Sequence, residues 1–347
     1  MNKVFKNDLM EIIKTLKKTN KESVKLQCIK DYSLLMNLLS YYFPHEIDHK
    51  ITMPDVTSYT EDEIYEKDNQ DRIRNEILAN IDSLLELYEQ MIALFNNFNI
   101  DPVEYDNDIE EIDFSQISDF LYDYPKIQQI FNKIIDSEHL IYIEGSNASY
   151  TYVLPSINRE YILACLDEPN ETEASIVHEV SHIYQERITY NTNMNNYLNE
   201  FIPILMEHLF LEYYKGIDYK SSRKQIINRL NIWKKVTLES YAQLKLLKEH
   251  PESFDGFIVK DEYKEELDKL CETDYTFLRD SLYIQFYPLG FMMAMSYFYA
   301  LQYGMDSNEI DKFYIENNNN LRAILDNIDI DSLREYLINN ITNKKRK

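Results

Sequence analysis

Two histidines four positions apart, with a glutamate directly after the first, form the segment HEVSH at residues 178–182. In an α-helix, positions i and i+4 lie one above the other on the same face. His178 and His182 would therefore offer two imidazoles to one metal ion. Zinc binds neutral imidazole and takes about four ligands, one of which is a water in a catalytic site. Glu179 would lie beside that water and could take its proton as a general base.

A third protein ligand must come from elsewhere in the chain, and two carboxylates are candidates. A histidine shortly after a glycine turn is excluded, because residue 185 is Gln and residue 188 is Ile. The segment YLNEFIPILMEHLFLEYY instead carries Glu200 and, on the same helix face, Glu207. Both stand among apolar residues, where an unpaired carboxylate is costly and a metal would compensate it. One could bind zinc while the other holds a ligand histidine by its free N–H.

Two neighbours of these glutamates affect the interpretation. Pro203 removes the backbone hydrogen bond to Asn199, which could tilt the first helical turn and aim Glu200 inward. His208 lies one step off the face of the two glutamates and is interpreted as an ordinary packed histidine.

The helix that would position the two histidines is the segment ETEASIVHEVSHIYQERI. Asn170 can cap its N-terminus, and Glu173 can return the bond as in a capping box. Its apolar content predicts burial, and a buried histidine pair needs partners. This pattern argues against the alternative, in which a surface helix carries two histidines by chance.

Long helices are predicted for most of the chain, because only 5 glycines and 9 prolines occur among 347 residues. Residues 1–40 and 71–98 show apolar spacing of i, i+3 and i+4. By contrast, residues 139–154 and 160–168 are rich in β-branched and aromatic residues and predict two strands. The predicted fold class is therefore mainly α with a small β-sheet.

A lobe boundary is predicted after the acidic, Asp-rich connection at residues 101–125, which has Pro102 and Pro125 near its ends. This gives an N-terminal helical lobe at 1–135 and a catalytic domain at 136–347. The boundary rests on the change from helical to strand-like texture near residue 139.

The charge and cysteine content limit the location and the partners. A net charge of −24 argues against a nucleic-acid partner. Cys28, Cys165 and Cys271 are odd in number and widely spaced, which predicts reduced thiols and a cytoplasmic protein. The N-terminus lacks the apolar core of a signal peptide. The oligomeric state is not predicted.

One uncharged stretch, residues 281–305, is long enough to cross a bilayer. Its tyrosines, glutamines, Pro288 and glycines favour a buried helix over a membrane span. No membrane partner is therefore predicted.

The spacing of these residues resembles the oligopeptidase F / thimet oligopeptidase family of zinc metallopeptidases. In that family a helix with H-E-x-x-H is followed by a helix with two glutamates seven positions apart, and the first binds zinc. EFIPILME is similar, which implies that Glu200 is the zinc ligand and Glu207 its supporting neighbour. The family's Tyr-x-x-Gly segment resembles YIQFYPLGF, which implies that Tyr287, with Tyr283, binds the oxyanion.

The resemblance covers residues 140–300 and has two departures. The family carries a histidine a little upstream of the tyrosines, where DYTFLRDSLY has none. Its members are also longer on the N-terminal side. The resemblance implies a zincin-type catalytic domain with one zinc ion per chain and a peptide substrate antiparallel to the strand near residues 143–152.

Two other functions are compatible with the sequence. A non-catalytic binding protein could keep the fold and a structural zinc, although such a site has no use for Glu179. A membrane-anchored protease would use residues 281–305 as its span.

Overall fold

The computed structural model describes residues 2–42, 60–98, 100, 112–143, 149–165, 173–189, 197–271 and 279–342. The helices are α1 (Asn2–Lys18), α2 (Glu22–Tyr42), α3 (Thr60–Ala79), α4 (Ile81–Asn97), α5 (Phe114–Leu121), α6 (Pro125–Asp136), α7 (Glu173–Thr189), α8 (Phe201–Tyr214), α9 (Tyr219–Glu249), α10 (Asp261–Leu270), α11 (Phe286–Gln302), α12 (Ser307–Asn317), α13 (Leu321–Asn327) and α14 (Ile330–Ile341). The strands are β1 (Leu140–Ile143), β2 (Tyr150–Leu154), β3 (Arg159–Cys165), β4 (Phe254–Asp255) and β5 (Ile258–Val259). The predicted class, mainly α with a small sheet, is confirmed.

The chain divides into two compact units, and the division falls inside α7. The sheet unit contains α1, α2, α5, α6, β1 to β3 and α7 as far as Ile183. The helical unit contains α3, α4, the rest of α7 and the elements that follow it. These units differ from the predicted lobes 1–135 and 136–347, because α1 and α2 pack on the sheet whereas α4 packs along α9.

The sheet of the first unit has the strand order β1-β3-β2. β1 is parallel to β3, and β2 is antiparallel to it. The single strand predicted over residues 139–154 is therefore wrong: β1 and β2 run in opposite directions on either side of β3. The second predicted strand corresponds to β3.

The helices α1 and α2 cover this sheet with an apolar core. Phe5, Ile12 and Leu35 are buried together with Ile141 and Leu163 of the strands. Polar contacts secure the same two helices. The Tyr161 hydroxyl donates to the carboxylate of Asp8 on α1, and the Ser156 backbone N–H donates to Asp31 of α2 at 2.8 Å.

The acidic connection predicted at residues 101–125 contains a helix, α5, in its described part. Asp113 caps α5 by accepting the backbone N–H of Ser115 at 2.9 Å. The helix forms because Ile117, Phe120 and Leu121 share a face and are buried. The helix was not predicted from the sequence, because the segment is rich in aspartate.

The helical unit is organised around α8, α9 and α11, which pack on one another. α11 occupies most of the uncharged stretch, and its residues from Pro288 to Met295 are buried. Among the described helices, none combines the length and the apolar character needed to span a bilayer.

The buried Asp8 predicts a pH-dependent stability for the sheet unit. Burial raises the pKa of Asp8 to about 6; the positive charge of Arg159 opposes this rise, and the negative charge of Glu11 adds to it. The pKa of Asp8 is higher in the folded state than in the unfolded state. The protonated carboxyl therefore contributes stability that is complete below about pH 4 and is lost as the pH rises through about 6. Asp8→Asn keeps an acceptor for Tyr161 and should remove that loss.

Thermal unfolding of wild type and Asp8→Asn at pH 4, 5, 6 and 7 measures this effect. The variant should gain stability relative to wild type as the pH rises, by about 2 kcal/mol at pH 7. A difference between the two that stays constant across this range would contradict the prediction.

Candidate metal centre

Helix α7 places the two histidines of HEVSH on one face, as their spacing predicts. Their Nε2 atoms lie 3.1 Å apart, and their ring centroids lie 4.8 Å apart. Both rings are half-buried, whereas the helix around them is largely buried. Its buried apolar residues are Ala174, Ile176, Val177, Val180, Ile183 and Tyr184. The predicted burial of this helix is confirmed, while the predicted cap at Asn170 lies outside the described residues.

The third candidate ligand lies at the start of α8. His178, His182 and Glu200 each offer one potential ligand atom, and these three atoms lie within 4.8 Å of one another. Glu200 is only 4% exposed. The residues that the spacing and the family resemblance singled out are thus close together.

The donor set fits zinc. Two nitrogens bound at about 2.0–2.1 Å to one tetrahedral zinc ion lie about 3.3 Å apart, close to the 3.1 Å of the Nε2 pair. Two neutral imidazoles and one carboxylate also match the ligands that zinc prefers. A bound cation would compensate the buried negative charge of Glu200.

A close helix contact fixes the backbone at Glu200. Gly290 of α11 packs directly against it: a Cβ atom at Gly290 would lie 2.8 Å from the Cβ of Glu200 and 3.1 Å from the nitrogen of Phe201. No side chain larger than hydrogen fits there without moving one of the two helices. The family resemblance drew attention to this glycine only as the end of a tyrosine segment.

Glu179 lies on α7 beside the first histidine and is 8% exposed. Its backbone carbonyl accepts a hydrogen bond from the Thr151 hydroxyl at 2.8 Å. Thr151 belongs to β2, an edge strand of the sheet. The predicted substrate strand and the predicted base are therefore joined directly.

The two candidate tyrosines differ in their surroundings. The hydroxyl of Tyr283 accepts a hydrogen bond from the Asn199 side chain at 2.7 Å. Burial and the negative charge of Glu200 raise the pKa of Tyr283 well above its usual value. Tyr287 contacts the ring of Tyr283 at 6.0 Å and that of Trp233 at 6.3 Å between centroids. The structure thus places Tyr283 next to the turn that carries Glu200.

Glu207 lies two turns along α8 from Glu200 and is also buried. Its carboxylate pairs with the guanidinium of Arg229 on α9, with Nε and Oε1 2.6 Å apart. Its predicted role in holding a ligand histidine stays a prediction. His208 is fully buried and bonds to the Tyr336 hydroxyl at 2.6 Å, so its interpretation as a packed histidine is confirmed.

A second group of possible metal ligands in the described chain consists of Glu249, His250 and Glu266. It lies at the C-terminal end of α9, where Glu249 is exposed. The His250 ring is 3.3 Å from Glu266 and 3.6 Å from Glu252, as in a surface ion-pair cluster. Of these two groups, only the first contains a buried member, Glu200.

No protein-family model and no curated protein matches this sequence. The chain is similar to a solved structure from Bacillus anthracis assigned as an oligoendopeptidase F, with 12% identity and a TM-score of 0.46 over 95% of this chain and 69% of that one. It is similar to PZ peptidase A with an inhibitor, with 11% identity and a TM-score of 0.49 over 96% and 70%. It is also similar to a further structure assigned as an oligoendopeptidase F, with 14% identity and a TM-score of 0.42 over 90% of this chain and 62% of that one.

Gly290→Ala should weaken zinc binding, because the added methyl group must push the Glu200 backbone away. We expect the zinc affinity to fall by about 10- to 100-fold, the range of a lost supporting contact. Zinc affinity is measured by competition with a chelator. Gly216→Ala, near the other end of α8, is the control and should bind zinc as wild type does. A folded Gly290→Ala protein with wild-type affinity would show that this contact does not position the ligand.

Proposed function

We propose that this protein is a zinc-dependent peptidase in which Glu179 is the general base. The observation that carries the proposal is the grouping of His178, His182 and Glu200 on largely buried helices, with Glu179 directly after the first histidine. A site that only held a metal would have no use for the additional carboxylate of Glu179.

The metal ligands in this proposal are the two imidazoles of α7 and the carboxylate of Glu200, with one zinc ion per chain. When bound, zinc would polarise a substrate carbonyl and make a water molecule more acidic. The chain itself supplies the ligand geometry through the helical spacing of His178 and His182.

Glu179 would move the protons of the reaction. Its carboxylate would accept a proton from the attacking water and then deliver it to the leaving nitrogen of the peptide bond. The fixed helix and the Thr151 bond hold its backbone in place. Its burial limits the competing access of bulk water.

Tyr283 is the better supported of the two oxyanion donors. Its hydroxyl oxygen already accepts a hydrogen bond from Asn199, which leaves its own O–H to donate. A tyrosine phenol is protonated at neutral pH, and burial raises the pKa of Tyr283 further. A neutral phenol can stabilise an oxyanion without changing its protonation state. Tyr287 remains a second candidate.

The peptide substrate would add to the sheet along β2. Main-chain hydrogen bonds to an edge strand bind an extended peptide with little regard to its sequence. The Thr151 contact places β2 beside the helix segment that carries Glu179. A peptide on this edge would therefore run past the proposed base.

The replacement Glu179→Gln tests the proposal. Gln keeps the size of the side chain and leaves the metal ligands in place, but it cannot accept the proton. Hydrolysis of a mixed peptide library should fall by at least about 100-fold, while zinc content and peptide binding persist. Product formation is measured by mass spectrometry, and zinc content by elemental analysis.

The control is Glu173→Gln, the same change at the start of α7, where the side chain accepts the Asp113 backbone N–H. It should hydrolyse peptides at the wild-type rate. A zinc-loaded Glu179→Gln protein that cleaves as fast as wild type would refute the role of this base. Wild-type protein that binds zinc and peptides without cleaving them would favour a binding protein.

A further inference from the structure

Two backbone groups at the N-terminal end of α8 have no hydrogen-bond partner within the helix. The carbonyl of Asn199, the residue before the N-cap Glu200, cannot accept from the residue four positions later, because Pro203 has no N–H. The N–H of Ile202 is in the first turn, where N–H groups have no partner within the helix. Both flank Glu200, and buried backbone groups without partners are costly.

One side chain satisfies both groups. The Gln185 amide nitrogen Nε2 donates to the Asn199 carbonyl at 2.6 Å, and its oxygen Oε1 accepts from the Ile202 N–H at 3.2 Å. Gln185 is 1% exposed. A glutamine suits this place because its amide offers one donor side and one acceptor side. It thus caps α8 from a different helix.

Gln185 belongs to the helix that carries the two histidines. It lies three positions after His182 and seven after His178, on the same face of the unbroken helix α7. The residues before and after Glu200 are therefore attached to the face from which the imidazoles project.

We propose that Gln185 is a positioning residue that holds Glu200 in place as the third metal ligand. This inference rests on the proposed function. Asn199 extends the arrangement, because its side chain donates to the hydroxyl of Tyr283. The same amide thus positions both a metal ligand and a proposed oxyanion donor.

Gln185→Leu tests the inference, because it roughly preserves volume and removes both hydrogen bonds. Hydrogen–deuterium exchange of peptides within residues 197–206 reports the capping of α8 without any metal. Zinc affinity, measured by chelator competition on folded protein, reports the position of Glu200. The control Gln225→Leu is the same change at a buried glutamine that donates a hydrogen bond to Ser221 in its own helix.

We expect faster exchange in residues 197–206 and a zinc affinity lower by about 10- to 100-fold for Gln185→Leu, with neither change in the control. The double variant Gln185→Leu/Pro203→Ala restores an N–H that can bond to Asn199. It should recover part of the zinc affinity, because this bond would again hold the backbone next to Glu200.

Each contrary result has a distinct meaning. Unchanged exchange in Gln185→Leu would overturn the capping. Faster exchange with wild-type zinc affinity, or no recovery in the double variant, would overturn the positioning of Glu200. Wild-type protein that binds no zinc, with exchange still faster in Gln185→Leu, would refute the proposed function and the ligand role of Glu200, and leave Gln185 as a cap only.

Discussion

The geometry of one buried helix governs this protein: α7 aligns His178, His182 and Gln185 on a single face. The first two positions bring two imidazole nitrogens to 3.1 Å. The third binds the backbone on both sides of Glu200. Because most of the helix is buried among packed side chains, these three residues have little freedom.

The two buried glutamates of α8 show how charge is managed in an apolar setting. Burying a carboxylate requires a compensating charge or hydrogen bonds. Glu207 obtains a positive charge from Arg229, which ties α8 to α9. For Glu200, the zinc ion proposed here would supply the compensation. Glu207 thus pairs with a cation of the scaffold, whereas Glu200, the N-cap residue of the same helix, is the proposed metal ligand.

The local features of the site could be predicted from the sequence, because helical spacing is a local property. His178, Glu179 and His182 follow from five letters, and the burial of α7 follows from its apolar residues. The missing N–H of Pro203 was also visible. The role of Gln185 could not be predicted, because this side chain bonds to backbone atoms of α8 and such bonds leave no pattern in the sequence. The pairing of Arg229 with Glu207 could not be predicted either, because nothing in the sequence distinguishes this arginine from one on the protein surface.

The larger organisation depends on packing that no short pattern records. The run at residues 139–154 has a uniform strand-like composition, and only the pairing with β3 reveals two strands of opposite direction. The grouping of α1 and α2 with the sheet depends on contacts over a long sequence separation. The boundary predicted near residue 135 from local composition alone therefore differs from the division into compact units.

The zinc content of purified protein tests the central claim most directly. After dialysis against micromolar zinc and then metal-free buffer, the wild-type chain should retain one zinc ion. His182→Ala should lose it, because only one imidazole would remain on α7. His250→Ala, which alters the exposed group at the end of α9, should retain it. Wild-type protein without zinc, or zinc that depends on His250 and not on His182, would contradict this account.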